Sequence, residues 1–172
     1  APQDDARLAR PRRRPGARRP MSNLEGRRVL LVEDESLVAM LGEDMLLDLG
    51  CEVTVAMRLE KALALARHEA FDMAILDVNL GETVSYPIAD VLFERCIPFI
   101  FATGYGTSGI AATYNAIPVM QKPYQVGQMA ALLKHLLTCE TLVRKGAAPG
   151  SGISCTCALG PGRTGPTVIR ID

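Results

Sequence analysis

Four short polar clusters interrupt the apolar middle of the chain: Glu33-Asp34-Glu35, Asp77-Val78-Asn79, Thr103-Gly104 and Lys122-Pro123. Carboxylates brought together from separate places repel, so one must take up a proton unless a cation neutralises the set. Mg2+ suits such a set, because it takes hard oxygen ligands and retains several waters. A lysine and a hydroxyl beside it add a further positive charge and a donor. Together they fit phosphoryl transfer onto a carboxylate. Asp77 would attack phosphorus in line, with metal and Lys122 neutralising the equatorial oxygens and Thr103 supplying a hydroxyl. The product, an acyl phosphate, is labile.

Each cluster follows a short apolar run, and these runs are what must position the chemistry. Val29-Leu30-Leu31-Val32, Met73-Ala74-Ile75-Leu76, Phe99-Ile100-Phe101-Ala102 and the shorter Val119-Met120 precede the four clusters. Continuous rather than alternating apolarity marks strands buried on both faces, while Val53-Thr54-Val55 alternates as an edge strand does. Helical spacing appears at Val38, Leu41, Met45 and Leu49, at Leu59, Ala62, Leu63 and Ala66, at Ile88, Val91 and Leu92, and at Val126, Met129, Ala130, Leu133 and Leu137. Strands and helices alternating through residues 27–139 predict βαβ crossovers, hence a small doubly wound α/β domain with helices on both faces of a parallel sheet. Ligands of such sheets bind beyond the carboxyl ends of the strands, where all four clusters fall. Residues 104–118 hold three glycines and only a weak stripe at Ile110 and Tyr114, which predicts a short or mobile fourth helix.

Each cluster also has an ordinary reading. Glu33-Asp34-Glu35 suits a helix N-cap with favourable helix-dipole charges, Asp77 a loop cap, and Lys122 a surface charge. Four polar clusters on successive strand ends favour the chemical reading over four independent accidents.

The same residues carry a resemblance. VLLVEDE (29–35), ILDVNL (75–80), FATG (101–104) and QKP (121–123) resemble the receiver domain of bacterial two-component response regulators, in that family's order and spacing. The resemblance implies a flavodoxin-like five-stranded parallel sheet of order 2-1-3-4-5, with Asp77 receiving a phosphoryl group from a sensor histidine kinase. It makes Glu33 and Asp34 the acidic pair and Glu33, Asp34, Asp77 and Asn79 the metal site, with Asp34, Asp77 and the backbone carbonyl of Asn79 as Mg2+ ligands. Thr103 becomes the switch hydroxyl and Lys122 the phosphate contact. It further implies a module that catalyses only its own phosphorylation and dephosphorylation, with no small-molecule substrate beyond a phosphodonor. Pro98 to Tyr105 is similar to the PFxFATG signature of the FAT GUY subgroup, many of whose members are stand-alone receivers served by HWE or related kinases, and whose fourth helix is weak. Gly106 departs from the final Tyr of the full motif. The commonest receivers carry an aromatic three residues before the Lys, where this chain has Val119. Tyr105 and Tyr114 are the candidates to take over that switching role. Output would pass to a protein partner through the fourth helix, fifth strand and fifth helix, from residue 104 to about 137, or the phosphate would be shuttled or drained.

Length and charge set the remaining bounds. A chain of 172 residues, 48% hydrophobic and 22% charged, suits one globular domain. The net charge is zero but segregated: residues 1–20 hold seven Arg against two Asp, whereas residues 21–145 hold 10 basic and 16 acidic side chains, net −6. An acidic body argues against nucleic-acid binding. Residues 1–24 read as a disordered Arg/Pro-rich tail: a basic arm for nucleic acid, anionic membrane or an import machinery, or else a solvated extension ahead of Met21. Residues 25–140 are then the receiver, and 141–172 a flexible Gly/Pro-rich tail lacking the periodicity of a DNA-binding or catalytic module. Cys155 and Cys157 in that tail offer only two metal ligands. Five cysteines without zinc-type spacing suit a reducing compartment. No apolar run reaches the roughly 18 residues of a membrane span and no signal-peptide core opens the chain, so a cytoplasmic location is expected. Among rival classes, a haloacid-dehalogenase-like phosphatase needs a second Asp where Asn79 stands. A flavodoxin needs a phosphate loop where the first strand runs into acid. The alternative left open is a phosphorylation-independent interaction module with a receiver fold.

Overall fold

The computed structural model describes residues 24–106, 109–114 and 116–138. In chain order the elements are β1 (Arg28–Val32), α1 (Ser36–Asp48), β2 (Glu52–Ala56), α2 (Leu59–His68), β3 (Met73–Asp77), β4 (Asn79–Leu80), β5 (Thr83–Val84), α3 (Tyr86–Glu94), β6 (Phe99–Thr103), β7 (Val119–Gln121) and α4 (Val126–Thr138). The main sheet is parallel throughout, in the order β2-β1-β3-β6-β7, which is the 2-1-3-4-5 order expected of its five strands. The four apolar runs and Val53–Val55 supply those strands. β4 and β5 form a separate two-stranded hairpin that the sequence pattern does not announce, because each strand has only two residues. Gly81 opens its turn at φ +62, a conformation that glycine adopts without steric cost.

Alternate residues of the central strands feed two cores. Leu30, Val32, Ala74, Leu76, Phe99 and Phe101 face one side with Ala62 and Ala66 of α2 and Ile88 and Leu92 of α3. Val29, Leu31, Met73, Ile75, Ile100 and Ala102 face the other with Leu46 of α1 and Met129, Leu132 and Leu133 of α4. Two-sided burial explains why these strands read as unbroken apolar runs. Leu24, assigned to the N-terminal tail from sequence, is fully buried in the second core, and the Cys51 thiol donates to its carbonyl at 3.5 Å. The folded body thus includes at least residue 24. The rest of that tail, Cys139 and the C-terminal tail with Cys155 and Cys157 lie outside the described residues.

Two expectations of helix facing need correction. The buried face of α1 is Ala39, Gly42 and Leu46, while Leu41 is exposed together with Leu37, Met40 and Leu47. This helix is apolar on more than one side, so periodicity alone does not select the inner one; the small residues do, by letting the helix approach the sheet. Val126, at the start of α4, is likewise exposed. Between β6 and β7 no α-helix forms among the described residues, and the segment carries a 3-10 turn at Ala112–Tyr114. That agrees with the glycine-rich reading of 104–118.

At Gly42, α1 packs tightly against the sheet and Tyr124. A Cβ there would lie 3.0 Å from both Leu31 Cδ2 and Tyr124 Cε2. Gly42→Ala is expected to destabilise the protein by about 1 kcal/mol, because overpacking costs about 1–3 kcal/mol against a helix-propensity gain of about 1. Urea denaturation measures the sign, and a stabilised variant would mean that α1 can lift away freely.

Candidate functional site

The parallel order brings the four polar clusters to one edge of the sheet. Glu33 and Asp34 follow β1, Asp77 is the last residue of β3, Thr103 the last of β6, and Lys122 follows β7. The Lys122 ammonium lies 2.6 Å from Asp77 Oδ2 and 2.7 Å from Glu33 Oε2. It therefore reaches over the end of β6, the strand between its own and β3. Thr103, buried at that end, accepts a hydrogen bond from the Tyr105 N–H at 3.1 Å, and its carbonyl accepts one from the Lys122 N–H at 2.9 Å. Asp77 Oδ1 accepts from the Asn79 N–H at 3.2 Å. Asn79 and Asp34 are exposed at the mouth, whereas Glu33 is fully buried. Glu35 occupies the N-cap position of α1 without a side-chain capping bond, so the acidic run is not serving as that helix's cap.

Electrostatics at this edge are unbalanced. Burial pushes the Asp77 carboxyl up from 3.8 to about 6, and the Glu33 charge pushes the same way; Lys122 and the Asn79 N–H offset only part of it. Burial works against the Lys122 charge, but its bonds to Asp77 and Glu33 outweigh that and raise its pKa. One ammonium thus faces three carboxylates. One oxygen each from Glu33, Asp34 and Asp77 lies within 4.8 Å of the others, an all-oxygen donor set that fits a hard divalent cation. Both Glu33 oxygens already accept protein donors, Oε1 from the Glu35 N–H at 3.3 Å and Oε2 from Lys122 and from the Tyr124 hydroxyl at 2.8 Å.

Tyr124 is a site residue that the motif reading missed. Only its place two residues after Lys122 hinted at it, and its partner is 91 positions away. Burial and the Glu33 charge raise its phenol pKa, so it stays a neutral donor. The Lys122–Pro123 peptide just before it is cis. The two tyrosines singled out from sequence part company. Tyr105 is 84% exposed, whereas Tyr114 is buried, its ring stacked 4.4 Å from Tyr86 and its hydroxyl donating to Asp90 Oδ1 at 2.6 Å. The Tyr86 hydroxyl accepts from the Ala111 N–H at 2.8 Å. Tyr86 and Asp90, which no motif marked, thus tether the segment that follows Thr103 to α3.

A parallel sheet with an acidic pocket, a lysine and a hydroxyl at its strand ends defines a phosphoryl-accepting receiver, and comparison with known proteins agrees. The family model for the response regulator receiver domain matches residues 29–135, and the chain belongs to that family. Such domains are phosphoryl-accepting signalling modules that interact with histidine kinases, generally without enzymatic activity of their own. The chain is 29% identical over 115 residues to transcription factor SKN7 of Candida albicans, covering 63% of this chain and 21% of that protein. It is 26% identical over 121 residues to the probable transcriptional regulator ycf29 of Porphyra purpurea, covering 66% and 58%. It therefore spans less than two thirds of the length of these relatives. Among solved structures it is similar to SdrG from Sphingomonas melonis Fr1, at 38% identity and a TM-score of 0.60, covering 67% of this chain and 99% of that one. The BeF3-activated conformation of SdrG, from Pseudomonas melonis Fr1, gives 39% and 0.55, covering 62% and 95%. The receiver domain of the sensor histidine kinase PA1611 from Pseudomonas aeruginosa PAO1, which holds a magnesium ion in its active-site cleft, shares the fold at 22% identity and a TM-score of 0.57, covering 65% and 98%. No helix among the described residues is long and apolar enough to cross a membrane.

The raised Asp77 pKa carries a stability consequence. The folded protein holds this proton more tightly than the unfolded chain, so the carboxyl favours folding most below pH 3.8 and that contribution is lost as pH rises through about 6. Without divalent cations, Asp77→Asn is expected to be more stable than wild type at pH 7.5 by about 1–3 kcal/mol, the gap closing as pH falls below 6. Saturating Mg2+ should narrow the gap from the wild-type side by mass action. Chemical denaturation at pH 7.5 and pH 5 reads both effects, and a gap that ignores pH would remove burial of the Asp77 charge as its cause.

Proposed function

We propose that this chain works as a single-domain response regulator of the PFxFATG, or FAT GUY, subgroup, accepting a phosphoryl group at Asp77 from a sensor histidine kinase of the HWE type. The observation that carries the reading is the Lys122 ammonium shared between Asp77 and Glu33 at 2.6 and 2.7 Å, at the strand edge where Thr103 also ends. The match to SdrG, which spans 99% of that chain and 67% of this one, supports the receiver as the signalling unit of this reading. The protein acts in the cytoplasm, and its signal leaves through a phosphorylation-dependent protein contact along residues 104–137; shuttling or draining phosphate is the other use of the same chemistry.

Each residue then has a physical task. Asp77, kept mostly ionised at neutral pH with help from Lys122, is the nucleophile: its oxygen bonds to phosphorus as the donor's bond to phosphorus breaks. The electron pair leaves with the donor, on an imidazole nitrogen for phosphohistidine or on a carboxylate oxygen for acetyl phosphate. Lys122 stays beside the reacting carboxylate and meets the incoming oxygens. Asp34 and Asp77, with the Asn79 backbone carbonyl, would hold Mg2+, and Glu33 stands behind them, its oxygens committed to protein donors. When bound, the ion offsets the carboxylate charge and polarises the phosphoryl oxygens. Thr103 turns its hydroxyl toward the phosphoryl group, which gives up the bond it accepts from the Tyr105 N–H. Tyr105 and Tyr114 then report the change, one at the surface and one through its hold on α3. A shift from 1:99 to 99:1 between two surface shapes needs about 5.5 kcal/mol, a size that several charge-assisted contacts can supply.

Incubation with acetyl phosphate and Mg2+, followed by intact mass, tests the core of this reading. One phosphoryl group is expected on wild type and none on Asp77→Asn or with EDTA, and Lys122→Ala should slow the gain by about 10²-fold or more. An adduct that survives Asp77→Asn sinks the assignment. No adduct, together with no spectral response to beryllofluoride and Mg2+, would favour the phosphorylation-independent binding module. For the switch, Tyr114→Phe removes a bond to a charged acceptor worth about 1.5–3 kcal/mol, so amide exchange at Ala111 should quicken about tenfold or more, toward the rate of beryllofluoride-treated wild type. An unchanged rate takes Tyr114 out of the switch.

A further inference from the structure

Tyr124 connects three parts of the molecule that the reaction at Asp77 needs in register. Its ring lies on the inner side of α1, against the gap that Gly42 leaves and beside Leu31 of β1. Its hydroxyl, deep in the protein, donates at 2.8 Å to the same Glu33 oxygen that takes Lys122 at 2.7 Å. Lys122 in turn lies 2.6 Å from Asp77 Oδ2. The chain of contacts therefore runs from α1 through Tyr124, Glu33 and Lys122 to the nucleophile. A phenol suits the second place: it gives the fully buried Glu33 a further donor without adding charge, so the ammonium stays divided between two carboxylates.

We propose that Tyr124 is a positioning residue for phosphoryl transfer, holding Glu33 in the orientation that keeps the Lys122 ammonium anchored between Glu33 and Asp77. The proposal rests on the reading of Asp77 as phosphoacceptor. An ammonium anchored by two carboxylates keeps its positive charge at one place for the incoming oxygens, whereas one held by Asp77 alone moves more freely and is more open to solvent. Gly42 belongs to the same arrangement, because it leaves the ring the room to bring its hydroxyl to Glu33.

The test compares wild type, Tyr124→Phe, Glu33→Gln and the double variant in two measurements: the rate of phosphoryl gain from acetyl phosphate with Mg2+, and labelling of Lys122 by trace acetic anhydride, read by mass spectrometry. Tyr124→Phe keeps the ring and is expected to slow phosphorylation about tenfold, as loss of a bond to a charged group would. Lys122 labelling should rise several-fold in both single variants. Because Tyr124 acts through Glu33, the double variant should be no slower than Glu33→Gln alone. A purely structural tyrosine would lower the melting temperature while leaving Lys122 labelling at the wild-type level, and that result overturns the proposal. So does a double variant whose slowing is the product of the two single ones. If wild type itself gains no phosphoryl group, the phosphoacceptor reading falls and takes this proposal with it, a pattern distinct from wild type and Tyr124→Phe reacting at equal rates.

Discussion

The Lys122 ammonium, set between Asp77 and Glu33, is the interaction on which the arrangement of this protein turns. Glu33 is fully buried and Asp77 nearly so, and burying carboxylates at the end of an apolar sheet costs several kcal/mol each unless charge comes to meet them. The compensating lysine follows β7, at the edge of the sheet, while Glu33 follows β1 and Asp77 ends β3, both further in. The lysine's flexible four-carbon stem spans that distance across the end of β6. β6 ends in Thr103, small and buried, so the ammonium passes over it. The strand order, the residue that closes β6 and the choice of lysine over a shorter base are therefore one requirement seen from three places. A single positive charge among three carboxylates still leaves a negative excess, and that excess is what gives the pocket its fitness for a divalent cation.

The folded architecture was legible because two-sided burial leaves a plain mark. Runs such as Leu30 to Val32 or Ile100 to Ala102 must satisfy a core above and a core below, so every position is apolar and the strand ends where polarity begins. That same boundary located Glu33, Asp34, Asp77, Thr103 and Lys122 at strand ends, which is why the pocket could be assembled before any contact was known. Helix orientation was less legible. α1 carries leucine or methionine on several sides, and only close packing at Ala39 and Gly42 selects the face that turns inward.

Partners of the tyrosines were not legible at all. The Tyr124 hydroxyl finds Glu33 across 91 positions, and Tyr86 finds Ala111 across 25, through side-chain rotamers that neither period nor spacing encodes. A phenol next to a core strand looks the same in sequence whether its hydroxyl is bonded to a carboxylate, to a backbone amide or to water. The β4–β5 hairpin was hidden for a different reason. Two-residue strands have no period to read, and Gly81 alone marks a turn without saying what it joins.

The stretch after Thr103 shows how the same physics distributes rigidity. Glycines at 104, 106 and 109 weigh against a helix, since each costs about 1 kcal/mol relative to alanine in one. Tertiary contacts take the place of helical hydrogen bonds: the Tyr114 ring stacks on Tyr86 and meets Phe101 edge-on, and its hydroxyl holds Asp90. A segment secured by a few specific contacts at one end, and by a backbone bond to the Thr103 hydroxyl at the other, belongs to the part of a domain that opens most easily. Its attachment to the pocket and its attachment to α3 are separate, so one can change while the other persists. The central sheet, packed from both sides, has no comparable freedom. Charge added at Asp77 would thus meet a sheet packed from both sides and, beyond Thr103, contacts that are few and separate.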